Sequence, residues 1–178
     1  SKGSVASTTE FANCLKIINN RNAVYTKASS NLLLLRLIEN GVEFQLFALS
    51  PSPKTVNDFD SEISELITEF GKRNTAVIKK TPNEKSVALL LKFGDQRVLL
   101  GADLEVGISE NEGWRYVVSK CKVFDEVKAS LYKVPHHGSS NGYMPEIFES
   151  IINENSILKI TPFGPSSLPR IEMLDIYS

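Results

Sequence analysis

Residues 32–38 and 42–49 are two apolar runs separated only by Glu39 and the pair Asn40-Gly41. Asn-Gly between apolar runs is the strongest short-range signal for a β-hairpin. Both turn positions of the favoured loop need positive φ, and these two residues adopt it at least cost. The pattern recurs downstream, where residues 86–93 and 97–101 flank the tight turn Gly94-Asp95. Two hairpins commit the first half of the chain to antiparallel sheet. The run 32–38 is dense enough in leucine that it is expected to be buried.

Other segments fall around these hairpins. Ser7-Thr8-Thr9-Glu10 has the form of a capping box, and Phe11, Cys14, Leu15 and Ile18 follow at helical spacing until Asn19-Asn20. Residues 23–28 suit a short strand. Ser50-Pro51-Ser52-Pro53 ends the second hairpin strand and can cap a helix in which Val56, Phe59, Ile63, Leu66, Ile67 and Phe70 form one apolar stripe. Asp58, Asp60, Glu62, Glu65 and Glu69 lie mostly off that stripe and read as a solvated face. Residues 71–83 are polar and read as a loop. The second half alternates: a helix around 114–120, a strand at 130–134, a helix at 145–152, a strand at 157–160 and a closing helix from Pro169 to Tyr177. For 178 residues this order predicts one domain of the α/β class.

Composition removes several functions. Twenty Lys and Arg against 21 Asp and Glu leave a net charge of −1, so no basic excess marks a nucleic-acid groove. The longest apolar run, the four leucines 32–35, is far below the ~20 residues of a membrane span, so no membrane partner is expected. No charged-then-apolar leader opens the chain, and Ser1-Lys2-Gly3-Ser4 reads as an added or internally cut start. Cys14 and Cys121 are too few and too far apart for a disulfide framework or a Cys-x-x-Cys site. A soluble, cytoplasmic protein is the expectation.

Two loops carry candidate chemistry. In the first, the apolar run Val98-Leu99-Leu100 enters a small-residue turn, Gly101-Ala102, and ends on Asp103. A carboxylate at a strand end can bridge metal ions, or simply cap the turn that follows. In the second, Tyr132-Lys133-Val134 is stopped by Pro135 and followed by His136 and His137, the only two histidines of the chain. Imidazole is the commonest metal ligand and a proton carrier near neutral pH. Gly138-Ser139-Ser140-Asn141-Gly142 also matches Gly-x-Ser-x-Gly, the nucleophile elbow of serine hydrolases. That fold needs its histidine after the serine, and none follows Ser140.

The two loops belong to an ordered set of motifs. Asn83-Glu84-Lys85-Ser86-Val87-Ala88-Leu89 comes first, then Leu99-Leu100-Gly101-Ala102-Asp103-Leu104-Glu105, then Lys133-Val134-Pro135-His136-His137-Gly138-Ser139. Thr161-Pro162-Phe163 and Leu168-Pro169-Arg170 complete it. Over residues 83–170 this set resembles the second half of the metallo-β-lactamase fold, in the branch that includes the C-terminal domain of bacterial DNA-uptake channel proteins and related stand-alone hydrolases. The resemblance implies the C-terminal half of a four-layer αββα sandwich, with mixed sheets and flanking helices. It implies a site for one or two zinc ions, with Asp103 as the bridging carboxylate and His136 and His137 as the late histidine motif, and leaves open which ring ligates metal. Glu105 matches a residue often found beside the aspartate.

The family's main ligand cluster, His-x-His-x-Asp-His, is absent, because no histidine precedes His136. The chain therefore resembles half an enzyme: a fragment of a longer polypeptide, one subunit of a split enzyme, or a degenerate homologue. The expected function is metal-dependent hydrolysis, with phosphodiesters as the substrate class. This chain would supply part of the metal site, and a missing N-terminal half or a partner chain would carry the cluster. Nucleic acid is a candidate ligand. The alternative is a catalytically inactive interaction or regulatory module, whose mark would be an exposed apolar face where the first-half sheet should pack.

Overall fold

A computed structural model of the chain describes residues 13, 14, 16–22, 26–70 and 83–178. The capping box at Ser7 and Glu10, the 23–25 part of the expected strand and the 71–82 part of the expected loop lie outside them. Six strands form one mixed sheet in chain order: β1 (Leu32–Glu39), β2 (Val42–Ala48), β3 (Leu89–Phe93), β4 (Gln96–Leu100), β5 (Ala129–Lys133) and β6 (Ile152–Lys159). Residues 13, 14 and 16–20 are helical, as expected from the spacing that follows the capping box, and the further helices of the described residues are α1 (Pro53–Phe70), α2 (Gly113–Lys120), α3 (Pro145–Ser150) and α4 (Ile171–Tyr177). The first four strands pair antiparallel, while β4, β5 and β6 run parallel to one another. The architecture is thus α/β, a mixed sheet with flanking helices.

Both hairpins form where the turn residues put them. Asn40 and Gly41 have φ of 51° and 79°, and Glu39 pairs with Val42 across them. Ser52 caps α1, its hydroxyl accepting the Thr55 amide at 3.1 Å. Three expectations are corrected. Residues 26–28 are not a strand. The strand expected at 86–93 begins at Leu89, because the Ser50 side chain replaces the ladder there: its hydroxyl donates to the Ser86 carbonyl and accepts the Ala88 amide. β6 starts at Ile152 rather than 157: Ile152 pairs with Ala129, and the polar residues 153–156, turn-like in sequence, bulge before pairing with β5 resumes at Ile157.

The two sheet faces differ sharply. Phe47, Leu90, Leu99, Tyr132 and Leu158 are cross-strand neighbours and so share one face. Leu90, Leu99 and Tyr132 are buried there, in a core that takes Trp114 and Val117 from α2, Ile147 from α3, and Met173 and Tyr177 from α4. The next row, Leu35, Leu46, Leu91, Val98, Leu131 and Ile157, lies on the opposite face. None of these six is buried, and Leu35 and Ile157 are 48% and 55% exposed. The expectation that the leucine-rich strand is buried is therefore wrong: Leu33, Leu35, Leu37 and Ile38 of β1 are all exposed. β1 is an edge strand, exposed on both faces: Leu33 opposite Phe47 on the helix-covered side as well as Leu35 opposite Leu46 on the open side.

At the far end of the helix-covered face, Asp125 accepts hydrogen bonds from Lys92 at 2.8 Å and from Arg97 at 3.0 Å. Partial burial pushes its carboxyl up, but the hydrogen bonds and charges of Arg97 and Lys92 outweigh that and hold it at about 2. The folded value lies below the ordinary ~3.9 of an aspartate, so this group stabilises the fold above that value and ceases to as pH falls through about 2. Unfolding free energy followed from pH 5 to 2 is expected to fall less in Asp125→Asn than in the parent. Identical pH profiles would remove Asp125 as a source of acid sensitivity.

Candidate functional site

In sheets with parallel strands, ligand sites form outside the strands' carboxyl ends, where successive loops converge. The loops after β4, β5 and β6 meet in this way, and their backbones lock together. The Gly101 amide donates to the Lys133 carbonyl at 2.9 Å, the His136 amide to Ala102 at 3.0 Å, the Val106 amide to Asn141 at 2.8 Å and the Val134 amide to Lys159 at 2.8 Å. Gly101 is required by this closeness. A Cβ there would lie 2.8 Å from the Lys133 carbonyl oxygen and 2.8 Å from the Pro135 Cβ.

The backbone is strained at the same place. Ala102, His136 and His137 have φ of 48°, 45° and 56°, a region that residues with a side chain rarely occupy. Such conformations cost of order 1–3 kcal/mol each and persist only where surrounding structure imposes them; they cluster at functional sites.

His137 and Asp103 face each other. The His137 ring lies near-parallel to Phe163, with centroids 4.9 Å apart, and its Nδ1 lies 2.9 Å from the Thr161 carbonyl. A carbonyl only accepts, so Nδ1 carries a proton, and in the neutral ring Nε2 is left as a lone pair. That Nε2 lies 3.8 Å from Asp103 Oδ1. This is too long for a direct hydrogen bond, and a gap separates the two atoms. Asp103 is half exposed and the His137 side chain 26% exposed, so the gap is open to solvent.

His136 turns elsewhere. Its Nε2 lies 3.2 Å from the Asn83 amide nitrogen, which also donates to Glu105 at 2.9 Å. Its Nδ1 is buried and makes no hydrogen bond among the described residues; the Glu105 carboxylate oxygen, 3.3 Å away, is not aligned with it. Of the three residues expected at the site, Asp103 and His137 are brought together, while His136 belongs to a neighbouring cluster with Glu105 and Asn83. Ser140 is exposed, and its hydroxyl bonds neither histidine among the described residues. The nucleophile elbow is not formed.

A zinc site needs three or four ligands, and among the described residues no three His, Cys, Asp or Glu side chains are grouped to hold a metal. The His137–Asp103 gap does suit a cation on two sides. Zinc bonds to nitrogen and oxygen of about 2.0–2.2 Å each span such a distance.

A shallow hollow opens beside this pair, lined by Leu89, Leu100, Ala102, Asp103, Lys133, His137 and Thr161. Burial pushes the Lys133 ammonium down, with the charge of Asp103 opposing the shift. Leu89 and Leu100 pair with each other, and Leu100 with Lys133, on the same face as the unburied row. The hollow and the open sheet face are therefore continuous. Sequence reasoning attached no role to Asn83, Lys133 or Thr161, although all three lie within the quoted motifs. Nothing in their residue types distinguishes them from loop and strand residues elsewhere.

Comparison with protein-family models, with curated proteins and with solved structures returned no match.

Proposed function

We propose that this chain supplies part of the active site of a metal-dependent hydrolase, of the metallo-β-lactamase type and with phosphodiesters as its substrate class. The observation that carries this reading is the pair His137 Nε2 and Asp103 Oδ1, held 3.8 Å apart, with the other imidazole nitrogen engaged by the Thr161 carbonyl. A cation in the gap would be held by both groups. Thr161 and Phe163 orient the imidazole, and the Ala102–His136 backbone bond brings the two loops together. Bound there, a zinc ion would supply activation of water and polarisation of the scissile ester.

The remaining ligands come, in this reading, from a sheet that packs on the open face, carried by the same polypeptide or by a partner chain. Leu89, Leu100 and Lys133 of the hollow lie on the same face as the unburied row, so a sheet seated on that face would reach the hollow beside Asp103. Covering such half-exposed side chains is worth on the order of 1 kcal/mol each. The same open face favours a second reading, in which the chain is an interaction module without chemistry. The two part on metal.

Native mass spectrometry of the protein isolated gently from its own cells separates them. A longer chain or a complex carrying one or two zinc-sized ions, lost on Asp103→Asn, is expected. A bare 19.7 kDa species, or a complex without metal, would overturn the hydrolase reading in favour of the interaction module.

A further inference from the structure

The last rung of the parallel half of the sheet holds two lysines side by side. Lys133 of β5 pairs in register with Lys159 of β6, so their side chains leave the same face from strands about 4.8 Å apart. Like charges directly opposite one another destabilise a sheet. Within the described residues, Lys27, Lys54, Lys85 and Lys92 are matched with carboxylates, whereas Lys16, Lys120, Lys122 and Lys128 are not; what sets Lys133 and Lys159 apart is that they share one rung beside the hollow. Among the described residues, neither Lys133 nor Lys159 pairs with a carboxylate; the Lys133 ammonium donates to the Val134 carbonyl at 2.9 Å. The rung adjoins the hollow that contains Asp103 and His137.

We infer that Lys133 and Lys159 are substrate-binding residues, a two-ammonium rung that holds the phosphate oxyanion of the molecule cleaved at the Asp103–His137 pair. The inference rests on the hydrolase reading for what happens to the bound phosphate, but the rung's affinity for phosphate does not require metal. An anion between the ammonium groups would remove their mutual repulsion, on a rung that adjoins the hollow through Lys133. Asp103 works against anion binding in the absence of a cation, so the metal and the phosphate each favour the other's binding.

The test is binding to the whole chain without added metal, with inorganic phosphate and a fluorescent oligothymidylate as probes. Backbone NMR shifts report the first and anisotropy the second. Lys133→Gln and Lys159→Gln are each expected to weaken binding about tenfold and to lower the salt dependence of oligonucleotide binding by about one counterion. Asp103→Asn is expected to retain or tighten it. Oligothymidylate binding much more tightly than phosphate points to a nucleic-acid backbone; equal affinities point to a small phosphodiester. Binding that is absent, or unchanged in both lysine variants while their folds are intact by NMR, would overturn the inference. Lysine-dependent binding in a protein that never takes up metal would leave the rung standing and remove only the hydrolase reading.

Discussion

Trp114→Ala is expected to lower the free energy of unfolding by about 3–5 kcal/mol, a large part of the ~5–15 kcal/mol that holds a typical domain together. Trp114 is fully buried, and its ring meets Tyr132 edge-on with centroids 6.2 Å apart, so truncation opens a large cavity against the central strands. It also acts directly on the site. The indole N–H donates to the Leu104 carbonyl at 2.9 Å, and the Trp114 amide to the Glu105 carbonyl at 3.0 Å. These two bonds hold the segment Asp103-Leu104-Glu105 against α2. Chemical denaturation followed by circular dichroism measures the loss, and a value under about 1.5 kcal/mol would show that the cavity collapses. Trp114→Phe keeps most of the volume but removes the N–H, so a cost of about 1–3 kcal/mol is expected from the Leu104 carbonyl left without its donor.

The second large effect is at Gly101. Gly101→Ala places a methyl group against the Lys133 carbonyl and Pro135, all of it backbone or ring that cannot rotate away. Either the Gly101–Lys133 hydrogen bond opens or the loop after β5 shifts. The cost of such overpacking is about 1–3 kcal/mol, but the functional loss is expected to exceed it, because the shift separates Asp103 from His137. Thermal unfolding gives the first quantity, and metal content of the assembled protein the second. Gly94→Ala is the control: its φ is +50° and nothing lies within 4 Å, so it costs only the strain of a left-handed residue, roughly 1–2 kcal/mol, and leaves the site intact. Equal effects of the two substitutions on metal content would mean that the contact at Gly101 does not position the site.

The pair of positions at the centre of the site also shows where reading residues in order stops. Both loops were visible as candidates, because a carboxylate after a small-residue turn and the chain's only two histidines after a proline are unusual residues in unusual places. Their division of labour was not. Adjacent histidines look equivalent in sequence, yet positive φ at both sends one ring toward Thr161 and Asp103 and the other toward Asn83 and Glu105. Asn83 lies 20 residues before Asp103 in the numbering, and Thr161 lies beyond β6. Their distances to the histidines are set by the sheet.

Local chemistry determined much of this fold before any packing was considered. Asn40-Gly41 dictated a hairpin because few residue pairs accept two positive φ values. Ser52 before Pro53 started a helix by offering an oxygen to an unpaired amide, and the alternation after residue 100 dictated parallel strands joined by helices. Only the tertiary structure decided which side of the sheet the helices cover. The leucines of β1 obey the same propensity as those of β3, but one strand lies at an edge and the other near the centre, and propensity contains no information about position in a sheet. The pairing of Lys133 with Lys159 has the same origin, since the register between β5 and β6, with its shift between Ala129 and Leu131, exists only once the two strands lie side by side.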